Sequence, residues 1–269
     1  MTKNIESFET DYSSSQRRRT LFDIPNYCII LLIVIAFILY KINLNFQPIS
    51  YWYKNRGDES KKKYFQITQE GVYKICVFGA KAIKGGRGGK QCATHHFKKD
   101  DFIDFYLEGR SSGGIGGKNC GNNNGNAYNG AGLAKAEKRN HAQEFLIVAG
   151  GGGGSSEKKI NKGGDYEKDG EGLYKGGGAT SSTFGKKGND DAQDGKKNKG
   201  GNGGRSDSTG ANCGGGGGNG YYGGGGGGWA YFEKKAGGGG GGSNFCNGQN
   251  CEKGVNGISK YAGYIIKKI

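Results

Sequence analysis

The sequence predicts a mainly β sandwich, interrupted by glycine segments and preceded by one N-terminal membrane helix. Three observations lead there. Short runs rich in β-branched and aromatic residues recur from Tyr64 to the C-terminus with no helical periodicity between them. Uninterrupted glycine runs fall at residues 150–154, 214–218, 223–228 and 237–242. An unbroken apolar stretch, residues 27–40, stands near the N-terminus.

Composition sets the bounds. The chain has 269 residues, 58 of them Gly and only 2 Pro, with 12% aromatic residues and a net charge of +15. That is too much glycine for an ordinary globular domain and too many aromatics for a plain disordered chain. Collagen is excluded, because the glycines keep no strict period of three and proline is nearly absent. A nucleic-acid-binding glycine-rich protein would repeat Arg-Gly-Gly boxes, and only Arg87-Gly88-Gly89 fits.

Residues 1–26 read as a short polar tail with balanced charge. Residues 27–46 read as an uncleaved signal anchor: the apolar core is extended by Ile42, Leu44 and Phe46, with Lys41 snorkelling, to the roughly 20 residues a bilayer needs. No small-x-small cleavage site follows it. Arg17, Arg18 and Arg19 before the span outweigh Lys41 and Lys54 after it, which places the N-terminus in the cytoplasm and the rest outside the plasma membrane. Residues 47–63 read as a charged juxtamembrane stalk. Its Arg56-Gly57-Asp58 is the tripeptide that many integrin ligands use, a short match that charged linkers also produce by chance.

The folded domain is expected over residues 64–269. Residues 64–68 and 72–78 suggest two strands of a hairpin turning at Gln69-Glu70-Gly71. Residues 102–107, 145–149 and 229–233 suggest three more, and residues 261–268 a terminal strand. Pairing of strands from both ends of the domain would close a sandwich. The glycine runs leave two readings open. Isolated polyglycine is flexible coil. Its ordered alternative is an extended threefold helix rising about 3.1 Å per residue, whose outward N–H and C=O groups bond neighbouring segments only where no Cβ keeps them apart.

Beyond Cys28, six cysteines (Cys76, Cys92, Cys120, Cys213, Cys246 and Cys251) suggest three disulfides in an oxidising compartment, connectivity open. No zinc-ligand spacing links them, and the adjacent His95-His96 would point to opposite faces of a strand. No cofactor or metal site is read from the residues.

The order Glu70-Gly71-Val72-Tyr73, Phe78-Gly79-Ala80, residues 102–107, then Phe145-Leu146-Ile147-Val148-Ala149 running into Gly150–Gly154, then Tyr221-Tyr222 followed by six glycines, resembles the extracellular glycine-rich domain of the anaplastic lymphoma kinase and leukocyte tyrosine kinase receptors. The likeness covers residues 64–269. It implies a jelly-roll-like sandwich with inserted polyglycine helices, a Cys76–Cys92 disulfide, and a role in binding a protein ligand or anionic polysaccharide outside the cell. One departure is plain: those receptors place this domain before the span and a cytoplasmic kinase, whereas here the span comes first. No Val-Ala-Ile-Lys, His-Arg-Asp or Asp-Phe-Gly occurs, so a receptor tyrosine kinase label would describe the ectodomain's family alone.

The expected function is therefore binding without catalysis. Tyr221, Tyr222, Trp229 and Tyr231, with Lys186, Lys187, Lys196 and Lys197, are the candidate contacts for an extracellular protein or an anionic glycan. The same lysines would equally serve as a solvating face, and the aromatics as caps on the glycine segments. A structural surface-coat protein is the alternative, although the glycine runs are unequal and form no tandem repeat. With only a short tail inside the cell, signalling would need a co-receptor.

Overall fold

The computed structural model describes residues 30–38, 50–118, 126–139, 144–157, 161–189, 191–205, 212–230 and 235–269. The chain divides into two compact units, Met1–Gln47 and Pro48–Ile269. In the first, residues 30–38 are a helix with exposed apolar side chains. Among the described residues no helix is long and apolar enough to cross a membrane; the remainder of the expected 27–46 span lies outside them.

The second unit is mainly β. Its strands are β1 (Ser50–Lys54), β2 (Lys61–Gln66), β3 (Gly71–Phe78), β4 (Gly89–Phe97), β5 (Phe102–Leu107), β6 (Ala134–Lys138), β7 (Phe145–Ala149), β8 (Trp229–Ala230), β9 (Lys235–Ala236), β10 (Phe245–Cys246), β11 (Gln249–Val255) and β12 (Gly263–Lys268). Two five-stranded antiparallel sheets form, in the orders β1-β12-β3-β4-β11 and β10-β7-β6-β5-β2, with β8 and β9 as a separate pair.

Period-two alternation explains which faces meet. Tyr73, Ile75 and Val77 of β3 and Tyr264 and Ile266 of β12 pack in one apolar cluster with Ile103, Phe105 and Leu107 of β5 and Ile147 of β7. The Phe105 and Tyr264 rings stack between the sheets with centroids 3.7 Å apart and planes 4° apart. Each such side chain contributes about 1.5–3 kcal/mol by leaving water.

Several expectations change. The residues read as a stalk belong to the fold: β1 pairs along its length with β12, from Ser50 opposite Lys267 to Lys54 opposite Gly263. The charged stretch that follows hid the alternation of Tyr51 and Tyr53 toward the core and Trp52 away from it. The expected hairpin does not form. β2 pairs with β5 in one sheet while β3 pairs with β4 and β12 in the other, so residues 67–70 carry the chain between sheets. Buried Ile67 fixes that crossing through its N–H to Asp101 O at 2.8 Å and its carbonyl to Asp100 N at 2.7 Å. The expected strand at 229–233 is β8, Trp229–Ala230, with residues 231–234 outside the described set. His95 and His96 lie on strand β4, His95 half-buried near Phe97 and His96 exposed, 3.9 Å from Glu70.

Disulfides join Cys76 to Cys92, directly opposite on β3 and β4, and Cys246 to Cys251. Cys213 is buried and disulfide-bonded; Cys120 lies outside the described residues.

The glycine segments leave the sandwich at Gly79, Gly109, Gly132 and Gly150 and bond one another in a repeating pattern. Along residues 223–228, successive N–H groups donate to Lys196, Gly218, Gly177, Gln193, Gly215 and Tyr174 carbonyls, all at 2.7–2.9 Å. Three neighbouring segments are thus visited in turn, and each is revisited three residues later. Residues 237–242 do the same with Gly228, Glu171, Gly154, Gly225, Lys168 and Gly151, and residues 214–218 with Gly204, Gly237, Tyr128, Gly201 and Gly240. A Cβ on Gly217 would overlap the Gly224 carbonyl oxygen, and one on Gly224 the Gly240 carbonyl oxygen. The close approach of backbones, rather than conformational freedom, is what requires glycine here.

Candidate functional site

The glycine segments carry Tyr221 and Tyr222 to the edge of the second sheet. Tyr221 N–H donates to Ser243 O at 3.0 Å and Asn198 N–H to Tyr221 O at 3.1 Å, which fixes the backbone on both sides. The Tyr221 ring stacks on Phe245 of β10 at 4.2 Å and meets Phe145 of β7 edge-on at 5.9 Å; Tyr222 meets Tyr221 edge-on at 4.9 Å. Such offset and edge-on pairs are preferred by aromatic quadrupoles.

Cations alternate with these rings across the sheet's outer face. Lys62 lies opposite Tyr106, and Tyr106 opposite Lys135, in one row of β2, β5 and β6. The Lys62 Nζ sits 4.9 Å from the Tyr106 ring; the Lys135 Nζ is 4.6 Å from Tyr106 and 4.8 Å from Phe145; the Lys197 Nζ is 5.6 Å from Tyr221. The order along the face is Lys62, Tyr106, Lys135, Phe145, Tyr221, Lys197. A cleft of about 330 Å³ opens at its end between Phe145, Tyr221, Phe245, Lys197, Asn198 and Asn247, with Glu144 at its side. The Asn198 Oδ1 is buried there without a hydrogen-bond partner among the described residues.

Charge on this face is partly neutralised. Asp104, 7% exposed, is held by Lys62 at 3.1 Å and Arg139 at 2.6 Å, and Lys135 pairs with Glu137 at 2.7 Å. Burial opposes ionisation of Asp104, but hydrogen bonds from Arg139 and Lys62 outweigh it and hold the carboxyl below 3.8. Hydrogen bonding to Tyr106 and Asp104 keeps the Lys62 ammonium charged above its ordinary pKa.

Of the residues singled out from sequence, the fold gathers Tyr221, Tyr222, Lys196 and Lys197: Lys197 bridges Tyr222, and Lys196 O accepts from Gly223 N–H at 2.8 Å. Lys186 lies further along the same flank, its carbonyl bonded to Gly177 and its ammonium 4.8 Å from the Phe184 ring and 3.6 Å from Asp194. Lys187 N–H donates to Asp194 Oδ1 at 2.8 Å. Trp229 is set apart by the six-glycine run, roughly 20 Å from Tyr222 at an extended rise of about 3.1 Å per residue. Its indole N–H is buried without a partner among the described residues, and its carbonyl accepts from Asn189 Nδ2. Tyr231 lies outside the described residues.

Sequence reading missed Lys62, Tyr106, Lys135 and Phe245. The signal for Lys135 was available, because Ala134-Lys135-Ala136-Glu137 alternates small and charged residues. No protein-family model and no curated protein matches the chain.

Proposed function

We propose that the chain is a single-pass cell-surface protein whose Pro48–Ile269 unit is a receptor-like binding ectodomain without catalytic activity. The carrying observation is the alternation of Lys62, Tyr106, Lys135, Phe145, Tyr221 and Lys197 on one rigid face. Aromatic rings offer sugar rings an apolar platform, and the lysines between them offer sulfates or carboxylates charge, so an anionic glycan fits this face best. The net charge of +15 supports the same choice.

On this reading the glycine runs are threefold extended helices that hold the aromatic face still, and the two sheets follow the jelly-roll plan that the resemblance implies. The every-third-residue return of the hydrogen bonds supports the helices. Orientation with the N-terminus in the cytoplasm, and signalling through a co-receptor, rest on the sequence.

The test is binding of the full chain in detergent to heparin across a salt titration. Lys135→Gln with Lys197→Gln should weaken binding at least tenfold and flatten the salt dependence. Lys74→Gln, on the other sheet and paired with Glu252 at 2.8 Å, should change little. Equal affinity of the double variant and the parent would reject this face as the site.

A further inference from the structure

The turn between β1 and β2 is built separately from the rest of the surface. Asn55, 1% exposed, anchors it: Nδ2 donates to Glu59 O at 2.7 Å and Leu107 O at 3.1 Å, Oδ1 accepts from Gly57 N–H at 3.3 Å, and its own N–H donates to Ala262 O at 2.8 Å. The Asp58 backbone packs against Gly109, where a Cβ would overlap the Asp58 carbonyl. On this fixed base Arg56, Gly57 and Asp58 are all exposed. Neither the Arg56 guanidinium nor the Asp58 carboxylate has a hydrogen-bond or ion-pair partner among the described residues.

Gly57 stands apart from the bundle glycines. A Cβ there would lie 3.7 Å from Asn55 Oδ1 and 3.8 Å from Glu59 N, ordinary contacts, so packing does not require glycine at this position. A partner that approaches the turn closely would. Beside the turn, Lys54, Arg110 and Lys260 gather around the Tyr261 ring at 6.0, 5.7 and 5.3 Å.

We propose that Arg56-Gly57-Asp58 is a docking epitope for a protein that holds a divalent cation among carboxylates with one coordination position open. The Asp58 carboxylate would fill that position, since hard divalent cations take carboxylate oxygen. The Arg56 guanidinium would enter a second acidic recess as a bidentate donor. A surface that carries a cation on several carboxylates is acidic around it, and Lys54, Arg110 and Lys260 complement such a rim and speed encounter. The fixed turn lowers the ordering cost on binding. The turn lies at the Lys62 end of the aromatic face but shares no recognition group with Lys135, Tyr221 or Lys197 at its other end.

The probe is an immobilised integrin headpiece of the class that reads this tripeptide, exposed to the full chain in detergent with Mn²⁺ or with EDTA. Saturable binding is expected in Mn²⁺, lost in EDTA and displaced by a soluble Arg-Gly-Asp peptide. Asp58→Glu, which keeps charge but moves it by one methylene, and Gly57→Ala should each weaken binding at least tenfold at an unchanged melting temperature. Lys54→Gln with Arg110→Gln should slow association and reduce its salt dependence. Absence of saturable binding in Mn²⁺, or binding that survives EDTA or Asp58→Glu, would overturn the proposal. Lys135→Gln with Lys197→Gln should leave this binding unchanged, which separates its outcome from that of the glycan test.

Discussion

Replacing Gly217 by alanine asks the glycine segments to make room for one methyl group. The added Cβ would overlap the Gly224 carbonyl oxygen and come within 2.9 Å of the Gly225 oxygen. The Gly224 carbonyl accepts from Gly201 N–H at 2.8 Å, and the Gly224 N–H donates to Gly218 O at 2.9 Å, so moving the segment breaks both bonds. All of these residues are buried, and each broken bond leaves at least one group unsatisfied at roughly 1–3 kcal/mol, giving roughly 2–6 kcal/mol or more in total. Reduced freedom of the unfolded chain returns only about 0.4–1 kcal/mol. For a domain of this size about 2–4 °C of melting temperature goes with each kcal/mol, so a fall of several degrees or more is expected. Gly254→Ala is the matched control, because nothing lies within 4 Å of its Cβ position. Urea unfolding of the two variants beside the parent is the assay. Stability of Gly217→Ala within about 1 kcal/mol of the parent would refute close packing of the segments, since even one orphaned group costs that much.

Three further outcomes are expected. Burial raises the pKa of Glu108 against hydrogen bonds from Asn219 and Leu133, so its charge costs stability above the ordinary value of 4.5 and protonation relieves that cost; Glu108→Gln should equal or exceed the parent at pH 7 in thermal melts, while Glu108→Ala strands the Leu133 N–H and loses roughly 1–3 kcal/mol. Asp104 is depressed below 3.8, so its contribution is present above that pH and is lost as pH falls through the lower folded value; unfolding curves of Asp104→Asn should show a shallower acid limb than the parent. Cys251 is exposed whereas Cys92 is fully buried, so mild reduction followed by alkylation and peptide mapping should label Cys246 and Cys251 before Cys76 and Cys92.

What could be read from sequence follows from which residues carry a pattern. Phe145-Leu146-Ile147-Val148-Ala149 is apolar throughout and becomes the strand expected of it, β7. Ala134-Lys135-Ala136-Glu137-Lys138 has helix-forming residues and is a strand only because β5 and β7 flank it, with Ala134 and Ala136 fully buried. β4 starts at Gly89, directly after Gly88, and carries polar and paired histidine residues through its middle, which disguised it.

The glycine segments hold a code that runs alone conceal. A segment bonded on three sides needs glycine at every position, as at residues 223–228. In Gly113-Gly114-Ile115-Gly116-Gly117 the exposed Ile115 interrupts the glycines although its carbonyl accepts from Gly203 N–H, and in Gly85-Gly86-Arg87-Gly88-Gly89 the exposed Arg87 does so with its carbonyl accepting from Tyr166 N–H. In Gly185-Lys186-Lys187-Gly188 the glycines donate to Gly223 and Gly226, the Lys186 carbonyl accepts from Gly177 N–H, and both lysine side chains are exposed. Glycine therefore marks the positions where another backbone lies against the place of a Cβ, and the lysines chosen as contacts are exposed positions between them.

Amide hydrogen exchange on the oxidised full chain, followed through peptides covering residues 214–228 and 237–242, tests the packed glycine segments most directly. Slow exchange across both stretches, lost together on unfolding, is the expected result. Exchange at the rate of a free coil in the folded protein would contradict the hydrogen-bonded bundle and the rigid binding face that rests on it.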